Sequence, residues 1–385
     1  MKEPKIRFKG FEGKWETRHV GELCDVLTGF PFEGSKILPK GKELLMRGIN
    51  ITEGFIRHSE DIDRYYDEDS SMLSKYRLQE NDLVIGMDGS KVGKNSALVT
   101  KKEVNSLLVQ RVARLRNNNP HLIHLIQISL GSEKFFEYVD SMKTSSAIPH
   151  ISPSDIKNFV VSISVNDDET KFVSDYFQYL DALIQSTTKK IESLKQVKAA
   201  SLQSMFPQEG ETTPRVRFKG FEGEWEETTI GKSMVINSGM DYKHLSEGDV
   251  PVYGTGGYML SVNKCLSEVD AIGIGRKGTI DKPQLLKAPF WTVDTLFFLT
   301  PQNRDLHFLY ALCQKINWRS YDESTGVPSL SKVSVSKIKF AVPSFAEQRA
   351  IASYFTNLDR QITLQSQRLE KLKQIKAACL AEMFV

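Results

Sequence analysis

Apolar residues recur at alternating steps of four and three in two long segments, one before the middle of the chain and one at its end. In the first segment these positions are Val173, Phe177, Leu180, Ile184, Ile191 and Leu194, with Thr187 in the one polar slot. In the second they are Ile351, Phe355, Leu358, Ile362, Leu369 and Leu372, with Gln365 in the polar slot. This alternation is typical of a coiled-coil seam. About 40 residues at 1.5 Å each would form a rod of about 60 Å.

The two predicted helices also carry signals for where they begin and how they pair. Ser344 followed by Glu347 predicts a capping box at the start of the second helix. Two such helices in one chain pack most simply on each other, and a pseudo-twofold axis would make them antiparallel, with the two globular segments at opposite ends. Thr187 and Gln365 are then expected to face each other close to that axis.

The segments that precede the two helices are predicted to be mixed α/β (α+β) globular domains. Short β-rich runs at 82–86, 96–100 and 270–274 are separated by turn signals, and helical patterns follow at 121–139 and 306–320. The predicted boundaries are 1–155 and 214–341 for the domains, 156–206 and 342–385 for the long helices, and 207–213 for a polar linker.

The sequence contains an internal repeat, in which one unit occurs twice. Residues 4–16 and 214–226 are identical at 10 of 13 positions, and residues 191–206 and 369–384 are identical at 10 of 16. Each copy has a fixed beginning and a fixed end, whereas the residues between them barely align. This contrast predicts a duplicated frame that carries two different inserts.

Composition excludes several classes of protein. The 385 residues are 40% hydrophobic and 26% charged, which is ordinary for a globular chain, and the formal net charge is only +3. No apolar run is long enough to span a bilayer, and residues 1–5 lead into no secretory signal. The four cysteines form no CxxC pair, which favours reduced thiols and a cytoplasmic location.

Catalytic motifs are missing from the sequence. The nearest approach to a phosphate-binding Walker loop, Gly89 to Asn95, has the wrong length and ends in asparagine. Asp155, Glu169 and Lys171 have a spacing like that of a metal-dependent nuclease. A capping role at the start of the first helix is the favoured interpretation of Glu169, because an acidic residue there complements the helix dipole.

Loops that combine glycine with basic and amide side chains make both inserts candidates for binding DNA. Small residues let a backbone approach phosphates, and Arg, Lys and Asn side chains reach base edges. The predicted DNA-binding residues are Arg47, Asn50, Ser90, Lys91 and Lys94 in the first insert, and Tyr253, Thr255, Arg276, Lys277 and Thr279 in the second.

Taken together, these features resemble the specificity subunit of type I restriction-modification systems. The resemblance is carried by the paired openings at 7–15 and 217–225, the helix ends at 194–202 and 372–380, the turns at 147–152 and 326–331, and the strand-loop elements at 84–89 and 274–278. It implies two target-recognition domains that each read one half of a bipartite double-stranded DNA site, with the paired helices setting the spacer.

The resemblance further implies that the chain is not itself an enzyme. Its partners would be two methyltransferase subunits and the ATP-driven restriction (translocase) subunits, which hold S-adenosylmethionine and ATP, so no cofactor and no metal is expected here. The near-neutral charge predicts weak DNA binding by the isolated chain. Two alternatives stay open: a coiled-coil protein that bridges partners without DNA specificity, and a metal-dependent nuclease.

Overall fold

The chain divides into two units that each contain parts of both long helices. The structure, a computed structural model, describes residues 3–89, 92–142 and 150–384. Unit 1 comprises Met1–Ser186 and Leu369–Val385, and unit 2 comprises Thr187–Arg368. Each unit therefore combines one globular domain with the first half of the long helix that follows it and the last part of the other long helix.

In unit 1 the described residues form nine short strands and five helices. The strands are β1 (Glu16–His19), β2 (Asp25–Thr28), β3 (Glu43–Met46), β4 (Tyr65–Tyr66), β5 (Leu83–Gly86), β6 (Ser96–Leu98), β7 (Leu107–Leu108), β8 (Val112–Arg116) and β9 (Val160–Ile163). The helices are α1 (Val20–Leu23), α2 (Pro120–Leu130), α3 (Glu133–Met142), α4 (Pro153–Asn158) and α5 (Asp167–Ser204), with 3-10 turns at Gly34–Lys36, Gly48–Asn50 and Ser71–Tyr76.

Within the described residues, unit 2 repeats the order of the nine strands but has one helix fewer. Its strands are β10 (Glu226–Thr229), β11 (Met234–Ser238), β12 (Glu247–Gly254), β13 (Gly257–Val262), β14 (Ala271–Gly275), β15 (Gln284–Leu286), β16 (Trp291–Thr292), β17 (Leu296–Pro301) and β18 (Lys339–Val342). Its helices are α6 (Ile230–Ser233), α7 (Leu306–Lys315), α8 (Lys332–Lys337) and α9 (Phe345–Met383), with a 3-10 turn at Trp318–Tyr321.

The sheets confirm the internal repeat in three dimensions. The four-stranded antiparallel sheet β2-β8-β5-β6 of unit 1 corresponds to β11-β17-β14-β15 of unit 2. A three-stranded sheet, β4-β3-β7 or β13-β12-β16, and a two-stranded sheet, β1-β9 or β10-β18, complete each unit. The inner strands β5 and β14 are wholly buried, which is why they read as continuous apolar runs in the sequence.

The two long helices are antiparallel within each unit. In unit 1, Lys376 Nζ lies 2.5 Å from Asp181 Oδ1, and in unit 2, Lys198 Nζ lies 2.5 Å from Asp359 Oδ1. Asp181 and Asp359 occupy equivalent positions of the repeat, as do Lys198 and Lys376, so the same ion pair forms once in each unit.

Seven of the twelve predicted seam positions are buried, as the periodicity predicts: Val173, Phe177, Leu180, Ile191, Ile351, Phe355 and Leu358. The other five, Ile184, Leu194, Ile362, Leu369 and Leu372, are half-buried. Thr187 is buried as well, and the side-chain oxygen of Gln365 is buried with no hydrogen-bond partner within the described ranges. That these two residues face each other stays a prediction.

Several predicted boundaries were wrong. The first long helix begins at Asp167 rather than at residue 156, because the intervening segment forms α4 and then β9, which pairs with β1. The second begins at Phe345 rather than at 342, because β18 pairs with β10. The pattern at 121–139 is two helices that break after α2 at Gly131, and the pattern at 306–320 ends as a helix at Lys315.

A buried ion pair fastens the opening of each unit to its long helix. Arg7 Nε and Nη2 donate to Glu169 Oε1 and Oε2 at 2.7 and 2.8 Å, and Trp15 Nε1 donates to Oε2 at 3.1 Å. Burial by itself raises the pKa of Glu169, but the hydrogen bonds from Arg7, Ser164 and Trp15 outweigh burial and lower it. Arg217 holds Glu347 in the same way in unit 2, with both distances 2.7 Å.

These contacts revise the predicted capping box and leave the nuclease alternative without a site. Ser344 accepts a hydrogen bond from the Glu347 backbone N–H at 3.4 Å, but the Glu347 carboxylate binds Arg217 rather than returning to Ser344. Asp155 caps α4 through Ser152, Glu169 is held by Arg7, and Lys171 is exposed. Within 3–89, 92–142 and 150–384, no group of three or more metal-ligating side chains is present.

Candidate nucleic-acid interface

The loop after β14 is the best-defined candidate site in unit 2. The Arg276 N–H donates to the Thr295 carbonyl, and the Arg276 carbonyl accepts from the Leu330 N–H, both at 2.8 Å. Gly278 has a φ of 92°, which favours glycine, and its N–H donates to the Pro328 carbonyl at 2.8 Å. The backbone is therefore held from two sides while the side chains of Arg276 and Lys277 are exposed.

An open cleft of about 630 Å³ lies beside this loop. The Arg276 guanidinium lies over the Phe297 ring at 5.8 Å from its centroid, and Nη1 is 3.4 Å from the Asp294 carbonyl oxygen. Lys277 and Lys332 also line the cleft, together with Glu323. Its cations suit phosphate or the acceptor edge of a base, and its carboxylate suits an amino group.

A turn that lines one side of the cleft is held in place by the carboxylate of Asp322. Asp322 Oδ1 accepts hydrogen bonds from the N–H groups of Ser329 and Ser324 at 2.9 and 3.0 Å. These backbone donors, and the hydroxyl of Ser324, lower the pKa of Asp322 because they stabilise its charged form. The turn before α8 is therefore fixed relative to the loop after β14, since it also supplies the Pro328 carbonyl to Gly278.

The hairpin between β12 and β13 meets the same loop. Thr255 Oγ1 lies 4.0 Å from where a Cβ on Gly278 would stand. Gln284 Nε2 donates to the carbonyls of Gly254 and Thr255 at 2.9 and 3.2 Å, which fixes the hairpin tip. The structure thus places the predicted residue Thr255 beside the loop that carries Arg276 and Lys277.

Two further predicted residues flank this group. Tyr253 is half-buried, and its ring centroid is 6.5 Å from that of Tyr258, whose side chain is 63% exposed and therefore available for stacking. Thr279 is half-buried, and its carbonyl oxygen would be 2.0 Å from a Cβ on Gly275, so that only glycine fits at the end of β14.

Unit 1 builds the same loop with different side chains. After β5, the Met87 N–H donates to the Arg111 carbonyl at 2.9 Å, and the Met87 carbonyl accepts from the Ile151 N–H at 3.0 Å. These bonds match those of Arg276 with Thr295 and Leu330, so Asp88 stands where Lys277 stands in unit 2. Oδ1 of Asp88 lies 2.5 Å from His150 Nδ1 and 3.4 Å from Arg111 Nη1.

The loops 87–95 and 111–117 had the composition expected of DNA-binding loops, but Asp88, Arg111 and His150 were not among the predicted DNA-binding residues. Aligning the two inserts on Gly86 and Gly275, which end equivalent strands, is the signal that would have brought Asp88 into register with Lys277. Arg111 and His150 reach this loop only through tertiary structure, because they lie 23 and 62 residues from Asp88.

The predicted residues of unit 1 have mixed outcomes. Arg47 is half-buried, with Nη1 3.4 Å from the Ile62 carbonyl oxygen, and exposed Lys94 lies over the Phe136 ring at 4.7 Å from its centroid. Asn50 is only 1% exposed and donates to the Arg57 carbonyl at 3.3 Å and to Asp63 Oδ1 at 2.9 Å. The prediction that Asn50 contacts DNA is therefore corrected, because its buried side chain holds its own loop together through these hydrogen bonds. Ser90 and Lys91 lie outside the described residues.

Comparison with known proteins decides the family. Residues 12–196 and 223–374 match the type I restriction modification DNA specificity domain. The chain belongs to this family. The matched segments cover most of the sequence and both copies of the repeat, so the specificity subunit is confirmed as having two target-recognition domains.

One relative agrees with this assignment. The type I restriction enzyme EcoAI specificity subunit of Escherichia coli is 28% identical over 191 residues, which are 49% of this chain and 31% of the relative. The aligned segment therefore spans less than a third of that relative. No helix in the described part of this specificity subunit is long and apolar enough to cross a membrane.

Solved structures share the fold across its length. The S subunit of a type I restriction-modification system from M. genitalium is 21% identical, with a TM-score of 0.72 and coverage of 100% of this chain and 99% of that one. A chain from a structure on complex assembly and conformational transition of the type I R-M system is 13% identical, with a TM-score of 0.50 and coverage of 98% and 99%. At these identities the likeness shows the fold alone.

Proposed function

We propose that this specificity subunit recognises an asymmetric bipartite DNA site and directs methyltransferase and restriction subunits to it. Each target-recognition domain reads one half-site, and the long helices set the number of base pairs between them. The chain itself supplies no catalytic group and holds no cofactor.

One observation carries the proposal. The two units hold an equivalent loop by equivalent backbone hydrogen bonds, yet the side chains on it differ: Arg276 and Lys277 in unit 2, Met87 and Asp88 in unit 1. A shared backbone that presents different side chains is what two readers of different base sequences need, because the side chains decide which base edges are contacted. A protein that merely bridges partners has no use for this difference.

The long helices have the dimensions of a spacer. Helix α5 has 38 residues and α9 has 39, which is about 57 Å at 1.5 Å per residue. That length corresponds to about 17 base pairs at 3.4 Å per step, enough for two short half-sites and the gap between them. The ion pairs Asp181–Lys376 and Lys198–Asp359 fix the antiparallel register on which such a spacing depends.

The near-neutral charge supports a division of labour with partner subunits. At a formal net charge of +3, phosphate neutralisation by this chain contributes little affinity. The sequence is chosen by the target-recognition domains, and the assembled complex supplies much of the DNA affinity. S-adenosylmethionine and ATP are held by the methyltransferase and restriction partners.

The proposal is tested by mapping methylated bases in the genome of a host that expresses the chain with its methyltransferase. The expected result is one asymmetric motif made of two half-sites and a fixed gap. Methylation without such a motif would refute the proposal, and equal binding of bipartite and random duplexes by the assembled complex would favour the bridging protein.

The spacer role has its own test. Inserting seven residues in each long helix, between the two ion pairs, preserves the heptad register and lengthens each rod by about 10.5 Å. The tolerated gap should grow by about three base pairs while both half-sites stay the same. An unchanged gap would refute the spacer role without affecting half-site recognition.

A further inference from the structure

Arg111 has an unusual backbone conformation for its residue type. Its φ of 70° lies in the left-handed region. Three other non-glycine residues of the described part share this region, and all three are asparagines, Asn81, Asn105 and Asn303. Asparagine tolerates this conformation because its short polar side chain can hydrogen-bond to the nearby backbone, whereas arginine has no such compensation for the crowding of its Cβ. Arg111 is thus a strained position at which glycine or asparagine would suit the backbone better.

The fold does not require this strain. Thr295 occupies the equivalent position in unit 2 and accepts the equivalent hydrogen bond, from the Arg276 N–H at 2.8 Å, with a φ outside the left-handed region. The Arg111 carbonyl accepts from Met87 at 2.9 Å in the same way. Because the same connection is made without strain in unit 2, the backbone hydrogen bond alone does not account for an arginine at this position.

The Arg111 side chain is oriented by an ion pair but remains exposed to a ligand. Arg111 is 62% exposed, and its Nη1 lies 3.4 Å from Oδ1 of Asp88. Asp88 is itself held by His150, whose Nδ1 is 2.5 Å from the same oxygen. A guanidinium carries five N–H donors, so a carboxylate at one edge directs the remaining donors without consuming them.

We propose that Arg111 reads the acceptor edge of a guanine in the first half-site, with Asp88 as its positioning residue. This inference rests on the proposed function. Guanine is the base that fits, because O6 and N7 accept a bidentate pair from arginine in the major groove. A contact to phosphate alone would need neither the strained backbone nor the brace by Asp88, since any exposed cation supplies it.

The test uses the full chain assembled with its methyltransferase, and measures binding to duplexes with single base-pair changes in the first half-site at fixed salt. Arg111→Lys keeps the charge but loses the bidentate geometry, and should reduce discrimination at one guanine by about 10- to 100-fold. Discrimination at all other positions should be retained. A uniform loss of affinity across all sequences, with a smaller salt slope, would identify a phosphate contact and overturn the proposal.

Arg111→Gly separates recognition from folding. Relief of the left-handed φ should raise the midpoint temperature at which unit 1 unfolds by about 2 to 4 °C, while discrimination at the guanine is lost. Asn105→Gly, at a φ of 71° and away from this loop, is the matched control that relieves φ without changing discrimination. If Arg111→Gly stabilises the chain and discriminates like the unaltered chain, Arg111 is only a turn residue.

Asp88 is tested by the same panel. Asp88→Asn should weaken discrimination at the same guanine as Arg111→Lys, and Asp88→Glu should restore part of it, because only a carboxylate orients the guanidinium by charge. A changed unfolding temperature with unchanged discrimination would make Asp88 structural and overturn its positioning role. Failure of the unaltered complex to prefer any bipartite site would refute the proposed function itself, which is a different outcome from equal discrimination by the variants.

Discussion

Replacing Arg217 by methionine removes one partner of the ion pair that fastens the second opening motif to α9. Arg217 contacts both carboxylate oxygens of Glu347 at 2.7 Å. The Glu347 side chain is 1% exposed and that of Arg217 is 18% exposed. Arg217 also donates to the carbonyls of Gly223 and Glu222 at 2.6 and 3.1 Å, which holds the opening loop against the helix.

The magnitude follows from what the substitution leaves behind. Methionine fills a similar volume but leaves the Glu347 carboxylate buried without its cation. Breaking a buried ion pair by removing one partner costs about 3–5 kcal/mol, more than the pair itself contributes. At 1.36 kcal/mol per factor of ten, this raises the open fraction of unit 2 by about two to four orders of magnitude. We expect Arg217→Met/Glu347→Leu to recover most of the loss, because no buried charge remains.

Native-state hydrogen exchange is the suitable assay, because a chain with two units is not expected to unfold in one step. Amides in the interior of α9 within unit 2, around Phe355, should lose protection by the predicted amount. Arg215→Met is the matched control: Arg215 is 69% exposed and pairs with Glu211 at 3.7 Å, so its loss should cost less than about 1 kcal/mol. Equal effects of the two substitutions, or no recovery in the double variant, would refute the reasoning from buried charge.

Three further predictions follow from other contacts. Burial lowers the pKa of His124 from 6.5 to about 4, so as the pH falls the unfolded chain binds this proton before the folded chain does. The free energy of unfolding of unit 1 should therefore fall by up to about 3 kcal/mol between about pH 6.5 and pH 4. His124→Gln should flatten that dependence in urea titrations. Lys376→Glu beside Asp181, both about one-third exposed, should cost about 1 kcal/mol, and the charge-swapped pair should restore it in a double-mutant cycle, whereas additive losses would show no coupling. Gly239→Ala puts a Cβ 1.9 Å from the Val293 carbonyl oxygen and should lower the unfolding temperature by at least several degrees, whereas Gly256→Ala, with nothing within 4 Å, should not.

Local patterns were sufficient for the frame of the molecule. The steps of three and four correctly predicted buried seam positions at Val173, Phe177 and Leu180. Helical periodicity is a local pattern, because it depends only on residues close together in the sequence. The apolar runs at β5 and β14 were recognisable for a similar reason, since strands buried on both faces are apolar throughout.

Helix starts were predicted less well, because pairing between distant strands competes with local periodicity. Residues 160–163 lie in β9 rather than in α5 because β1, more than 140 residues earlier, supplies their hydrogen-bond partners. The Glu347 carboxylate likewise binds Arg217 instead of completing its capping box, since an arginine 130 residues away offers a bidentate partner. Competing partners of this kind are invisible to a pattern read along the chain.

The sequence by itself determined the duplication, the two long helices and the family. All three depend on repeats and periodicities that can be read along the chain without knowing which distant residues are in contact. Only the tertiary structure decided which loop residues form each candidate interface. Asn50 has a side chain that could contact a base, but its own loop buries it. Arg111 and His150, by contrast, come from distant segments of the chain to contact Asp88. Residue type states what a side chain is able to bind, but backbone hydrogen bonds between distant strands and turns determine which side chains reach the surface together.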